Sequence, residues 1–155
     1  MRPALFALCL ALLPLPSGAE PLWTPLQISP ALGGGAGMRL EPGDGRAVEL
    51  MCFDAAAIRF TLFGGPAPMP GPMRGMEMAL TFDFPPGPAL PALGDYIDGG
   101  ENAIIGSFAV PAGQMAAIGA AGRLRILGPD GQPWLDSPMQ NAPDLARAFG
   151  QACGM

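Results

Sequence analysis

Residues 76–84, Met-Glu-Met-Ala-Leu-Thr-Phe-Asp-Phe, alternate without a break. Met76, Met78, Leu80, Phe82 and Phe84 fall on one face, and Glu77, Ala79, Thr81 and Asp83 on the other. A period of two is that of a strand with one buried face, and no helix reproduces it. The same pattern predicts a strand over 46–53, with Val48, Leu50 and Cys52 on one side, and a return strand over 58–63, with Ile58, Phe60 and Leu62 together. Residues 54–57 join the two as a hairpin. Shorter strands are predicted at 38–41, 95–97, 103–110 and 123–127, with a last one starting at Trp134 and Leu135. Turn chemistry separates them: Pro42-Gly43-Asp44-Gly45, Asp98-Gly99-Gly100 and Gly128-Pro129-Asp130-Gly131.

The period lengthens in two places. Residues 111–121 read as a short helix, with Pro111 in the first turn, Gly122 after the end, and Met115 and Ile118 as the apolar stripe. Residues 143–153 read as a C-terminal helix. Asn141 is positioned to cap it, Pro143 suits its first turn, and Asp144 complements the dipole. Leu145, Phe149 and Cys153 recur every four residues and share a face. Residues 64–75 hold four prolines and four glycines and predict a loop, as does the proline-rich connection 85–94. The expectation is a mainly β, α+β fold. One antiparallel sheet or sandwich carries a helix near 111–121 and a C-terminal helix packed on it.

The beginning of the chain follows a different rule. Arg2 precedes an uncharged apolar run, Ala4 to Leu15, too short for the roughly 20 residues that span a bilayer as a helix. Pro14 and Pro16 break it, and Ser17-Gly18-Ala19 then offers small residues at the −3 and −1 positions of a cleavage site. Residues 1–19 are read as a cleavable signal peptide, cut between Ala19 and Glu20. A lipoprotein signal needs a Cys directly after the apolar run, whereas Cys9 lies inside it. Residues 20–37 form an extended N-terminal arm in which Trp23 is expected to dock on the body. Residues 38–155 form a single β-rich domain. The expected location is periplasmic or secreted, with no integral membrane segment after cleavage.

Composition then narrows the chemistry. The formal net charge is −5, with no basic cluster, so nothing favours nucleic acid as a partner. All eight basic residues are arginines and there is no histidine. That excludes Ser-His-Asp and Cys-His catalysis, histidine-ligated zinc or haem, and lysine Schiff-base chemistry. No cofactor is predicted and no catalytic residue is assigned. The chain is read as not an enzyme.

Cys9 leaves with the signal peptide, and Cys52 and Cys153 remain. A pair of cysteines in an oxidising compartment most simply forms one disulfide. Here it would pin the C-terminal helix to the apolar face of the 46–53 strand.

Two clusters merit a ligand reading. Met69, Met73, Met76 and Met78 fall within ten residues, and soft thioethers can hold Cu(I) or Ag(I). Against this, Met76 and Met78 already belong to an apolar strand face, where Met is ordinary filling. Asp95, Asp98 and Glu101 surround a Gly-Gly turn and supply oxygen ligands of the kind calcium takes. They lack the alternation of an EF-hand loop, and acids are common in exposed hairpins.

Val48-Glu49-Leu50-Met51-Cys52, a strand ending in Cys, and Leu145-Ala146-Arg147-Ala148-Phe149-Gly150-Gln151-Ala152-Cys153, a helix ending in Cys, resemble small periplasmic proteins of Gram-negative bacteria, in particular the type VI secretion-associated VasI-like family. The resemblance covers two short stretches and implies no catalytic residue. The functional expectation is an exported, soluble binding or accessory module of the bacterial envelope, its partner an envelope protein or a small ligand. The alternatives are a Met-based Cu(I)/Ag(I)-binding periplasmic protein and, third, a carboxylate-only hydrolase.

Overall fold

The structure is a computed structural model that describes residues 21–28, 35–52, 57–65, 77–97 and 102–155. Among these residues nine strands are formed: β1 (Thr24–Gln27), β2 (Ala36–Leu40), β3 (Ala47–Cys52), β4 (Ile58–Phe63), β5 (Glu77–Asp83), β6 (Ala89–Ile97), β7 (Ala103–Phe108), β8 (Arg123–Leu127) and β9 (Pro133–Pro138). Two helices accompany them, α1 (Gln114–Ala120) between β7 and β8, and α2 (Pro143–Ala152) at the C-terminus. The strands make one antiparallel sheet in the order β1-β2-β3-β4-β7-β6-β5-β8-β9. The fold is therefore mostly β, as the alternation predicts.

Most neighbours are sequential hairpins. β4 instead lies beside β7, so the β4–β5 connection must pass two strands, and β5–β6–β7 with β4 makes a Greek key. That detour gives the long Pro/Gly-rich segment after Gly64 its reason. A second jump, from β7 to β8, is made through α1.

The alternation puts one apolar face inside. Met38, Leu50, Phe60, Phe82, Ile104, Leu124 and Ile126 are completely buried. Phe60 on β4 and Phe82 on β5 have two strands, β7 and β6, between them, yet their ring centroids lie 4.6 Å from each other. Neighbouring strands are spaced about 4.8 Å apart, so a flat sheet would hold these residues too far apart for that contact. The sheet curls around its core. Gly94 and Gly106, directly opposite each other on β6 and β7, permit the bend. A Cβ at Gly94 would lie 3.0 Å from Phe60 Cζ, and one at Gly106 would strike the Leu93 carbonyl oxygen.

The curl brings the two edges of the sheet together. Leu22, just before β1, forms a parallel bridge with Gln140, just after β9, and the Gln140 amide donates to the Pro21 carbonyl at 2.8 Å. An odd number of strands that alternate in direction leaves its first and last strands parallel, so a parallel seam follows from the count. Arg46, before β3, donates to the Trp134 carbonyl on β9 and ties the β2–β3 turn to the last strand. The Trp23 indole N–H donates to Met139 Sδ at 2.9 Å beside the seam. Trp23 docks as expected, and the segment read as an arm carries β1.

The two ends of this curled sheet differ. At one end α1 and α2 pack together where Gly119 meets Ala146, too close for a side chain at 119. Cys153 follows α2 and is bonded to Cys52 at the end of β3, with Cα atoms 5.7 Å apart. The other end carries the β2–β3 turn, the β8–β9 turn and the connections β4–β5 and β6–β7.

Two local expectations are corrected. Residues 85–94 are not one connection: only 84–88 turn, and β6 already begins at Ala89. Pro91 is tolerated because the β6–β7 ladder starts at Ala92, so β6 lacks a β7 partner at the position where proline lacks its N–H. Helix α2 is not capped by Asn141; Ala142 is the N-cap, with no side-chain hydrogen bond. The Ala142 amide instead donates to the Gly119 carbonyl at 2.8 Å, so packing against α1 sets where α2 starts.

Candidate functional site

The loop end of the sheet holds a cavity of about 640 Å³, open to solvent. It is walled by Arg39 at the outer side of β2, by Glu41, Gly43, Gly45 and Arg46 of the β2–β3 turn, and by Phe63 at the end of β4. Gly43 and Gly45 have φ of 87° and 84°, a backbone that side chains resist, and they shape this turn. Phe63 is half-buried, and the Arg39 guanidinium lies over its ring, 5.5 Å from the centroid.

Polar groups in the cavity are held in fixed positions. Arg39 Nε donates to Glu41 at 2.7 Å and its Nη1 to Glu49. The Glu41 hydrogen bond, with Glu49, raises the pKa of Arg39 and keeps it a fixed cation. Arg46 donates to both oxygens of Asp44 as well as to the Trp134 carbonyl. That arginine hydrogen bond lowers the pKa of Asp44. The result is an array of paired donors and acceptors beside an aromatic ring, suited to orienting a ligand by hydrogen bonds and surface contact.

The residues singled out by sequence fall as follows. Cys52 and Cys153 are joined. Met78 is buried on the inner face of β5, opposite Gly94, as core filling. Met69, Met73 and Met76 lie outside the described residues, as do Asp98, Glu101, Ala19 and Glu20. Asp95 is exposed on the outer face of β6, directly opposite Glu77 on β5. Among the described residues no three His, Cys, Asp or Glu side chains gather as a metal-binding group, and no helix is long and apolar enough to cross a membrane.

Sequence reading missed the cavity itself. Its residues come from the β2–β3 turn and the ends of β2, β3 and β4, and only the Gly-rich turn 42–45 and the half-polar placement of Phe63 marked them. A second, smaller crevice of about 270 Å³ lies between the β1–β2 edge and α2, lined by Pro25, Leu26, Ala36, Leu145 and Phe149. It is apolar and carries no charged side chain.

No protein-family model, curated protein or solved structure matches this chain. Its function is argued from its own residues.

Proposed function

We propose that this chain is an exported, soluble binding module of the bacterial envelope that engages its ligand or partner at the loop end of the curled sheet. The observation that carries this reading is the asymmetry of the two ends. One is covered by α1, α2 and the Cys52–Cys153 disulfide, and the other presents the cavity of about 640 Å³ with its prearranged arginines, acids and Phe63. Export is supported by the apolar run and small-residue site of residues 1–19 and by a disulfide that suits an oxidising compartment. The absence of histidine and lysine from the sequence removes the commonest catalytic side chains and favours binding over catalysis.

The test is capture from the native envelope fraction with purified mature protein, run beside Phe63→Ser and Glu41→Gln. The reading expects a partner or ligand that the wild type retains and both variants lose, with circular dichroism unchanged. Equal capture by all three, or none by any, would count against the loop end.

A further inference from the structure

Five arginines with ion pairs on the surface are neutralised by acids of this same chain: Arg39 by Glu41 and Glu49, Arg46 by Asp44, Arg123 by Asp136, Arg125 by Asp83 and Arg147 by Asp144. Glu77 and Asp95 are the reverse case. They stand directly opposite each other on β5 and β6, both exposed, and among the described residues neither makes an ion pair or a side-chain hydrogen bond. Like charges in facing positions of a sheet are destabilising.

The surroundings of Asp95 are apolar. Leu93 and Ile97 precede and follow it on the outer face of β6, and Ile105 faces it from β7. Leu93 is 49% exposed and Ile97 45%, two of the four large exposed hydrophobic residues among the described ones. Both belong to one strand near the middle of the sheet; Leu93 lies between Ala79 on β5 and Ser107 on β7, and Ile97 pairs with Ala103 on β7. A short apolar strip on a well-formed sheet face, interrupted by an uncompensated pair of acids, is the complement of a specific surface.

We infer that the outer face of β5–β6–β7 is a docking surface for a partner polypeptide presenting an arginine or lysine between apolar side chains. The cation sits between Glu77 and Asp95, and the apolar neighbours pack on Leu93, Ile97 and Ile105. Charge complementarity argues for an occupant that brings its own cation to this pair of acids. Five arginines of a second copy are already held by its own acids and the chain has no lysine, so self-association is the competing outcome that the test reads. This surface is separate from the loop-end cavity, whose failure as a site leaves it standing.

The probe is a short fluorescent peptide alternating Leu and Arg, with a control in which Glu replaces Arg, titrated into the mature protein at low and at physiological salt. Amide shifts are expected to centre on Glu77, Leu93, Asp95, Ile97 and Ile105, with affinity reduced by salt. Leu93→Ser, which removes no charge, and Asp95→Asn are each expected to weaken binding about tenfold, as loss of a buried interface contact does. Asp144→Asn removes the same charge from α2 and is expected to leave binding unchanged. Equal weakening by Asp95→Asn and Asp144→Asn would reduce the effect to net charge and overturn the proposal. So would a null effect of Leu93→Ser, the same amide shifts on concentrating the protein alone, or the same shifts with calcium in place of peptide.

Discussion

Trp23 and Met139 show how a single contact can be worth more than its strength. The indole N–H is buried and donates to a thioether, a weak acceptor, next to the seam. Met139→Leu keeps the volume and removes the acceptor, leaving the donor orphaned. The expected loss is about 1–2 kcal/mol in urea denaturation, and an unchanged midpoint would mean that the contact carries nothing. Asp136 illustrates the opposite, exposed case. Its hydrogen bond from Arg123 lowers its pKa below the ordinary 3.8. A lowered folded-state pKa stabilises the protein above the ordinary carboxylate range and is lost as the pH falls through the folded value. Both side chains are well exposed, so the contribution is small and screened by solvent. Asp136→Asn is expected to cost stability at neutral pH and progressively less as the pH falls through the folded-state value, read from paired denaturation curves; an equal cost at every pH would contradict this. At this scale the sequence was legible where the alternation was strict, as for Leu80 and Phe82. It was silent on which acids find an arginine, because Asp83 meets Arg125 from 42 residues away.

Among the elements, α2 depends most on what it is joined to. It has no side-chain cap, and its position rests on Gly119, Phe149 and the bond from Cys153 to Cys52. The disulfide closes a loop with a sequence separation of 101. In the chain-entropy account that stabilises the fold by about 4–5 kcal/mol. Reduction, or Cys153→Ser, is expected to lower stability by about that amount. Amide protection in α2 should fall first, while β3, β4 and β7 keep theirs in hydrogen exchange. Loss of protection spread evenly over the sheet would contradict this order. The disulfide was readable from cysteine parity and from the inward side of Cys52. The start of β6 was not, since Pro91 reads as a strand breaker until the β7 ladder is seen to stop one residue away. The candidate cavity was unreadable for another reason: its walls come from consecutive elements, but alternation does not say that Arg39, the 42–45 turn and Phe63 enclose a space at the strand ends.

At the scale of the whole molecule, the described residues make a sheet of nine strands whose edges meet. Its seam is one parallel bridge, with Arg46 of the β2–β3 turn also reaching β9, so closure is local and testable. The Gln140 amide, donating to Pro21, is expected to exchange far more slowly than amides of the exposed turn around Asp130; equal rates would mean that the edges stay apart. Proline limits both edges, with Pro25 on β1 and Pro133 and Pro138 on β9, which blunts pairing with other chains. The proposed binding role makes use of this arrangement, because a locked body leaves its loop end and its β5–β7 face as the places where a partner gains most. The proposed export would link the sequence to that body: an oxidising compartment would form the disulfide, and cleavage would remove Cys9. A non-reducing peptide map with intact mass, on protein recovered from the envelope fraction of expressing cells, tests that link directly. The account expects a chain beginning at Glu20 whose Cys52 and Cys153 peptides are linked; free thiols on a chain still carrying Met1 would contradict it.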